Sequence, residues 1–340
     1  MINFHFHQQL PSYSDYMTIS SPQNFWKIAV VIPCYGVSQF ILPLLQKIGP
    51  EAQHIFCIDD ACPENSGKLI QAQCSDSRVK VIFHEKNKGV GGAVLTGYRA
   101  ALEQKANIIV KLDGDGQMDP KLIPKLIYPL KQGKADYTKG NRFYSPENLK
   151  QMPFVRKFGN FVLSFMNKFS SGYWNIFDPT NGYTAIHSLV AQELPLHKIH
   201  PRYFFESDML FRLHTIRAVV MDVPIKANYG EESSYLRILS AIRIFLIQHI
   251  KNFFKRIFYT YFIRSFSIAS IELLLALFLL PLGTLIGIIK WHQSALSHIP
   301  ASAGSVMLAA LPIMLGFQLL LAFFSYDLND VPKDPLHPRL

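Results

Sequence analysis

Short apolar runs alternate with helical patterns through the first third of the chain. Four runs have the length and the β-branched composition of buried strands: Ile28 to Ile32, Ile55 to Asp59, Val79 to His84 and Ile108 to Leu112. Helical patterns fall between them, near Val37 to Ile48, Ser66 to Gln73 and Val90 to Lys105. This alternation predicts an α/β domain built on a parallel sheet.

A different pattern begins near residue 265. Ser265 to Ile289 is an apolar stretch interrupted by Glu272, and Ala303 to Phe324 carries no charge. Each is longer than the roughly 20 residues that cross a bilayer core, so we expect two transmembrane helices rather than two buried core helices. An acidic group facing lipid is costly, and we therefore expect Glu272 to contact a neighbouring helix or subunit.

The distribution of charge indicates how the chain is oriented in the membrane. The chain has 340 residues, of which 49% are hydrophobic, and a formal net charge of +10. Cations gather before the first apolar stretch: Arg237, Arg243, Lys251, Lys255, Arg256 and Arg264. The positive-inside tendency places that side, and the α/β domain, in the cytoplasm of a multi-pass inner-membrane protein. Anionic lipid headgroups, rather than nucleic acid, are the expected partner of this charge.

These patterns divide the chain into five segments. We expect an N-terminal tail at 1–27 without a signal-peptide pattern, then an α/β catalytic domain at 28–234. Amphipathic juxtamembrane helices at 235–263, a two-helix transmembrane region at 264–326 and a C-terminal tail at 327–340 follow. Pro153 to Ser171 also mixes cations with aromatics, as helices in a membrane interface do. The four cysteines lack metal-type spacing and are interpreted as packing residues.

The first candidate for chemistry is the acidic segment after the run Ile108 to Leu112. Asp113, Asp115 and Gln117 occupy alternate positions, which point the same way on an extended backbone. Two carboxylates and an amide oxygen suit a hard cation, Mg²⁺ or Mn²⁺, that bridges protein and a diphosphate. A plain turn at the end of a strand is the alternative.

Other polar residues follow the neighbouring strands. Pro33 and Tyr35 come after the first predicted strand, and Asp59 and Asp60 end the second. In parallel α/β sheets ligands collect at this edge, so the sequence predicts one site there. The glycines between Asn87 and Gly97 either bring a helix N-terminus close to a diphosphate or form an ordinary helix-start turn.

The motifs together resemble those of family 2 glycosyltransferases of the dolichol-phosphate mannosyltransferase type, in particular bacterial polyprenyl-phosphate glycosyltransferases with two C-terminal spans. The matching segments are 30–35, 58–60, 87–93, 113–117, 140–142, 178–183, 205–208 and 229–233, in that order. The resemblance implies a GT-A (Rossmann-like) fold and a divalent cation. It also implies a UDP- or GDP-linked sugar as donor and a polyprenyl phosphate as acceptor, and it permits a homotetramer.

Carried over residue by residue, the resemblance implies a set of site residues. Those that would bind the donor are Pro33, Tyr35, Asp59, Asp60, Gly91 and Asp113. Asp113, Asp115 and Gln117 would hold the metal, and Arg142 and Arg156 the acceptor phosphate. The residues implied in catalysis are Asp115, Arg142, Glu206 and Asp208.

Ordinary structural roles remain open for three of these residues. Arg142 alternatively forms a surface ion pair, Arg156 alternatively anchors headgroups, and Glu206 alternatively caps a helix or joins a salt bridge. The chain also departs from the family pattern at three places. Gly36-Val37 stands where Asn-Glu is usual, Gly114 where Ala is usual, and Asn228 where an Arg is typical.

The implied acceptor simplifies the chemistry. A phosphate monoester is largely ionised at neutral pH, since its second pKa is about 6, and needs no general base. Single displacement by that phosphate would invert the anomeric centre. One rival is a processive polysaccharide synthase, which carries a Gln-x-x-Arg-Trp sequence, whereas this chain has no Arg-Trp pair. A catalytically silent membrane scaffold is the other rival.

Overall fold

A computed structural model of the chain describes residues 26–144, 154–225 and 238–340, with only the backbone of 154–158 and 238–242. Residues 1–25 of the predicted N-terminal tail, Asn228 and the 229–233 motif lie outside the described residues. Two compact units form. Among the described residues, one unit contains 26–144, 154–164, 176–225 and Lys333–Leu340, and the other contains Phe165–Asn175 and Ile238–Pro332.

The strands belong to the first unit. They are β1 (Ile28–Cys34), β2 (His54–Asp59), β3 (Val79–Phe83), β4 (Ile108–Lys111), β5 (Tyr137–Asn141), β6 (Thr184–His187) and β7 (Val220–Pro224). Within the described residues they form a seven-stranded sheet in the order β3-β2-β1-β4-β6-β5-β7. The α/β architecture and the four predicted strands are confirmed, with ends that shift by one or two residues.

The helices follow the strands as the alternation predicts. They are α1 (Ile41–Gln46), α2 (Ser66–Gln73), α3 (Val90–Glu103), α4 (Ile123–Lys131), α5 (Phe154–Ser171), α6 (Ser188–Glu193) and α7 (Phe205–Thr215). Short 3₁₀ turns lie at Pro120–Leu122, Leu196–Lys198 and His337–Arg339. α1 begins later than predicted because Val37 accepts turn hydrogen bonds from Phe40 and Ile41.

The central strands are buried on both faces. Val30 and Val31 of β1 point to opposite faces and are fully buried, and their register partners in β2, Ile55 and Phe56, are buried as well. β-branched residues on both faces are what a sheet covered by helices requires. This core fixes the carboxyl ends of β1, β2 and β4 at one edge of the sheet, because the three strands run parallel.

The four predicted strands run parallel to one another, as expected, whereas the complete sheet is mixed. β6 runs antiparallel to both β4 and β5. The segment before β6 reaches Lys111 and Asp113 at the carboxyl end of β4, so β6 starts at the edge where its neighbours end. This reversal delivers the loop 178–183 to the edge of the sheet where the strand-end carboxylates lie.

Residues 333–340 return to the first unit and cover a buried carboxylate. Asp136 accepts hydrogen bonds from the backbone N–H groups of Val219, Leu336 and His337, and from Nδ1 of His337 at 2.7 Å. The His337 ring stacks on His187 with centroids 4.2 Å apart. The segment predicted as a tail therefore packs on the α/β unit.

The second unit contains long apolar helices. Besides the end of α5, its described helices are α8 (Ile238–Phe258), a π-helical turn (Tyr259–Arg264), α9 (Ile268–Ser297) and α10 (Ala303–Asn329). α9 and α10 each contain an 18-residue window of mean hydropathy 2.3, of which only 17% and 11% is buried. Two helices of this length and exposed apolar surface fit the predicted membrane spans rather than a pair of buried core helices.

Small residues allow α9 and α10 to pack closely. A Cβ on Gly283 of α9 would lie 2.8 Å from the backbone oxygen of Ala309, and one on Gly316 of α10 would lie 2.9 Å from Leu280. Such contacts between small residues are typical of paired membrane helices. Glu272 on α9 is partly exposed, and its predicted contact with another helix or subunit stays a prediction.

α8 buries polar side chains along one face. His249, Asn252 and Arg256 are buried, whereas Ile250 and Phe254 are exposed. Arg256 donates to both carboxylate oxygens of Asp327 and to the carbonyl of Phe169. The exposed face of α8 also carries Arg243, Lys251 and Lys255, and this mixture of apolar side chains and cations is typical of a helix in a membrane interface.

Candidate active site

A cavity of about 450 Å³ opens at the carboxyl ends of β1 and β4. It is lined by Pro33, Cys34, Tyr35, Val37, Asp60, Asn87, Gly89, Val90, Ala93, Asp113, Gly114, Asp115, Arg202 and Tyr203. Residues from three predicted strand ends therefore meet, as the topology of a parallel β1-β2-β4 arrangement dictates. Tyr35 and Tyr203 are each more than half exposed, which leaves two aromatic faces at its rim.

Asp113 and Asp115 both line this cavity. Asp113 Oδ1 lies 2.8 Å from Lys111 Nζ, and Asp115 Oδ1 accepts a hydrogen bond from the backbone N–H of Gln117 at 3.0 Å. No group of three His, Cys, Asp or Glu side chains in the described part of the chain is placed to hold a metal. Two carboxylates still suit a hard divalent cation whose remaining ligands are diphosphate oxygens and water.

The structure adds Lys111, which sequence reasoning missed. Its side chain is 1% exposed, and its ammonium contacts Asp113 and, at 3.0 Å, Glu206. Burial lowers the pKa of Lys111, but the Asp113 and Glu206 carboxylates outweigh that effect and hold the pKa above its usual range. A lysine directly after Ile108-Ile109-Val110 was the available signal, because a buried charge needs a partner.

The two acidic residues of α7 are both engaged. Glu206 pairs with Lys111, which matches the alternative that Glu206 joins a salt bridge. Asp208 Oδ2 accepts hydrogen bonds from the backbone N–H of His200 at 2.9 Å and from Arg212 Nε at 3.3 Å. Asp208 therefore holds the segment that precedes α7, and Glu206 faces the metal-motif strand.

Arg142 is bound to Asp178 at the end of β5. Nε lies 2.8 Å from Oδ2 and Nη2 lies 3.0 Å from Oδ1, and the Asp178 side chain is fully buried. Nearby, Lys139 donates to the carbonyl of Asn181, and burial lowers the pKa of Lys139 to about 8. The Arg156 side chain lies outside the described residues, so its role stays a prediction.

Asp59 and Asp60 use their carboxylates to organise loops. Asp59 accepts from the backbone N–H groups of Cys62 at 2.8 Å and Gly67 at 2.6 Å and does not border the cavity. Asp60 accepts from the N–H groups of Lys88 and Gly89 and lies 2.7 Å from His84 Nδ1. Asp60 thereby fixes the glycine-rich loop beside the cavity.

The glycine-rich loop packs against the segment before α7. A Cβ on Gly91 would lie 2.6 Å from the carbonyl oxygen of His200, and Gly92 N–H donates to the carbonyl of Pro201. The absent side chain of Gly91 thus makes room for protein backbone, and this glycine does not line the cavity. The contact brings Arg202 and Tyr203, which sequence reasoning missed, to the cavity wall.

Comparison with known proteins agrees with this geometry. Residues 29–194 match the protein family described as "Glycosyl transferase family 2". The UDP-N-acetylglucosamine–dolichyl-phosphate N-acetylglucosaminyltransferase of Methanococcus voltae is 31% identical over 220 residues, which cover 61% of this chain and 87% of that protein. The undecaprenyl-phosphate mannosyltransferase of Micrococcus luteus is 28% identical over 205 residues, covering 58% and 82% respectively.

A solved structure shares the fold. Glucosyl-3-phosphoglycerate synthase of Mycobacterium tuberculosis, crystallised with Mn²⁺, UDP and phosphoglyceric acid, superposes with a TM-score of 0.51 at 17% identity. The match covers 68% of this chain and 78% of that one. The resemblance drawn from the sequence motifs is confirmed. With a GT-A fold and close relatives that transfer sugars to polyprenyl phosphates, the chain belongs to glycosyl transferase family 2.

Proposed function

We propose that this glycosyltransferase moves a sugar from a nucleotide-diphosphate sugar to a polyprenyl phosphate, with inversion at the anomeric carbon. The product is a polyprenyl-phosphate monosaccharide on the cytoplasmic face of the membrane. The two relatives named above act on dolichyl and undecaprenyl phosphates by name, which supports the acceptor class.

The cavity supplies what a nucleotide-diphosphate sugar requires. Tyr35 and Tyr203 offer aromatic faces for a base, and Arg202 offers a guanidinium to the diphosphate. The Asp60 contacts to Lys88 and Gly89 hold the glycine-rich loop, which packs against Arg202. A volume of about 450 Å³ is within the range of small-ligand sites.

Asp113 and Asp115 would hold a Mg²⁺ or Mn²⁺ ion, with Gln117 as the third predicted ligand. When bound, the cation would offset the negative charge that grows on the departing nucleotide diphosphate. Lys111 pairs with Asp113 and orients its carboxylate, and the N–H of Gln117 orients Asp115. These residues prepare the site before the donor arrives.

One observation carries the choice of a phosphate acceptor. Glu206 and Asp208, the acidic residues expected near the acceptor, are tied to Lys111 and to Arg212. A sugar hydroxyl acceptor needs a base to take its proton, whereas an ionised phosphate attacks without one. Carboxylates committed to cations are compatible with the second case, in which Arg142 and Arg156 would receive the acceptor phosphate.

The second unit supports a lipid-bound acceptor. Its exposed apolar helices would place the chain in the bilayer where a polyprenyl chain resides. The exposed cations Arg243, Lys251 and Lys255 near the first span favour a cytoplasmic catalytic unit under the positive-inside tendency. Assembly as a homo-oligomer belongs to the same proposal.

The test is a coupled assay on the full chain in detergent. Purified protein and Mn²⁺ are incubated with a panel of UDP- and GDP-sugars, with and without undecaprenyl phosphate. We expect nucleotide release from one donor only when the lipid is present, together with a new sugar-phosphate lipid by mass spectrometry. The Asp115→Asn variant serves as the inactive control.

Two results would contradict the proposal. Lipid-independent release of nucleotide with growth of a soluble polymer would indicate a polysaccharide synthase. The absence of release from every donor, in protein that still binds UDP or GDP, would favour a silent scaffold.

A further inference from the structure

A buried ammonium joins the metal-motif strand to α7. Lys111 Nζ lies 2.8 Å from Asp113 Oδ1 and 3.0 Å from Glu206 Oε1, although the side chain is almost fully buried. Residues 111 and 206 are far apart in sequence, so the fold has brought two carboxylates to one cation. A desolvated charge is retained only where such partners satisfy it.

The backbone beside the ion pair has no spare room. A Cβ on Gly182 would overlap both Lys111 Nζ and Asp113 Oδ2. The preceding carbonyl, that of Asn181, accepts a hydrogen bond from Lys139, which anchors this loop to β5. Asp113 is therefore held on one side by Lys111 and on the other by the Gly182 backbone.

The Lys111 ammonium also changes the net charge of the predicted metal site. Asp113, Asp115 and Glu206 are three carboxylates, and Lys111 offsets one of them. A positive group 2.8 Å from a metal ligand repels a divalent ion, and that repulsion is strong where water is excluded. A diphosphate restores the missing negative charge when it arrives with the ion.

We propose that Lys111 is a positioning residue that fixes Asp113 and Glu206 and makes tight binding of the divalent cation depend on the donor diphosphate. The inference rests on the proposed function, since it assumes that Asp113 and Asp115 are the metal ligands. In this proposal Lys111 is the reason that the ion and the nucleotide bind together rather than one after the other.

A charge series on the full chain in detergent tests this. Free Mn²⁺ is measured by electron paramagnetic resonance during titration, alone and with UDP or GDP, for wild type, K111M, E206Q and K111M/E206Q. Removing the ammonium should tighten binding of Mn²⁺ alone about tenfold, and removing the carboxylate should weaken it. The double variant, which keeps the net charge, should bind Mn²⁺ like the wild type.

Nucleotide dependence and turnover give independent readouts. UDP or GDP should strengthen Mn²⁺ binding in the wild type far more than in K111M, and kcat should fall in both K111M and the double variant because Asp113 is no longer held. Circular dichroism melts identify variants that fail to fold. The double variant leaves neither Lys111 nor Glu206 as a lone buried charge, so it can be measured even if a single variant does not fold.

The outcomes separate the inference from the proposed function. Equal affinity for Mn²⁺ alone in wild type and K111M, or a nucleotide effect unchanged by K111M, overturns the role of Lys111. Failure of wild type and all variants to bind Mn²⁺ with either nucleotide overturns the metal assignment as well. A loss of stability without any change in Mn²⁺ affinity would reduce Lys111 to a structural residue.

Discussion

The guanidinium of Arg142 and the buried carboxylate of Asp178 form a two-point ion pair at the end of β5. The charge of Arg142 is thus matched before any acceptor phosphate binds. Arg142→Ala would leave Asp178 buried and unpaired, and we expect it to lower the free energy of unfolding by about 3 kcal/mol and to abolish transfer. Thermal melts and the lipid-dependent assay measure the two effects.

The double variant R142A/D178N separates structure from function. It removes the lone buried charge, so we expect most of the stability to return while transfer stays at least about tenfold below wild type. Wild-type transfer by the double variant would show that Arg142 serves only as the partner of Asp178.

Asp115 is the simplest test of the cation site. Asp115→Asn removes a cavity-facing charge that is only partly buried, so we expect a fall in kcat/KM of about 10³-fold with little change in melting temperature. The matched control is Asp119→Asn. Asp119 caps the turn Pro120–Leu122, and asparagine caps equally well. Similar losses in both variants would argue against a specific role for Asp115.

Gly182 and Gly159 form a matched pair of glycine substitutions. Gly182→Ala would push against Lys111 and Asp113, and we expect transfer and nucleotide-dependent Mn²⁺ binding to fall together. An added Cβ on Gly159 in α5 meets nothing within 4 Å, so Gly159→Ala should leave activity unchanged and slightly stabilise the helix. Unchanged Mn²⁺ binding in Gly182→Ala would show that Asp113 is less constrained than its surroundings indicate.

Asp222 on β7 predicts a pH dependence of stability. Burial raises the pKa of Asp222 to about 6, and the nearby Asp178 carboxylate raises it further while Lys139 and Asn141 lower it. The folded state therefore holds a proton that the unfolded chain releases near pH 4, so this group lowers stability as pH rises from about 4 to about 6. One oxygen, Oδ1, has no hydrogen-bond partner in the described structure.

Asp222→Asn should remove that contribution. Its side-chain oxygen can still accept the hydrogen bonds from Asn141 Nδ2 and the N–H of Phe177. We expect the variant to gain stability relative to wild type at pH 7 and to lose that advantage at pH 4, as measured by urea unfolding. A constant difference across this range would mean that Asp222 keeps an ordinary pKa.

The C-terminal segment provides the last prediction. Deleting residues 333–340 strips Asp136 of the hydrogen bonds from Leu336 and His337, which leaves a buried carboxylate with fewer donors. We expect a lower melting temperature for the α/β unit and weaker nucleotide binding only as a result of that instability. Adding D136N to the deletion should restore part of the lost melting temperature. If it restores none, the destabilisation does not come from the Asp136 carboxylate.

The sequence predicted those features that depend on neighbours along the chain. β1 to β4, the helices between them and the alternation Asp113-Gly114-Asp115 are local patterns, and the structure places both carboxylates in the cavity. The long apolar stretches are equally local. The order of the motifs along the chain identified the family, because no single motif is specific enough to do so.

Features that depend on contacts between distant segments were beyond local reasoning. The reversal of β6, the pairing of Lys111 with Glu206 and the arrival of Arg202 at the cavity each join segments separated by tens of residues. Periodicity reports which face of an element is buried, but not which partner covers it. α8 shows the same limit, since its cations were expected at headgroups and Arg256 instead binds Asp327.

The contacts of Asp136 make the α/β unit a discontinuous domain. β7 belongs to this unit and Lys333–Leu340 rejoins it, so the two apolar helices are an insertion between these segments. During synthesis, residues 333–340 emerge from the ribosome only after both of these helices. The α/β unit is therefore complete only after both apolar helices have been synthesised, and a fragment that ends before the first of them would lack part of the domain.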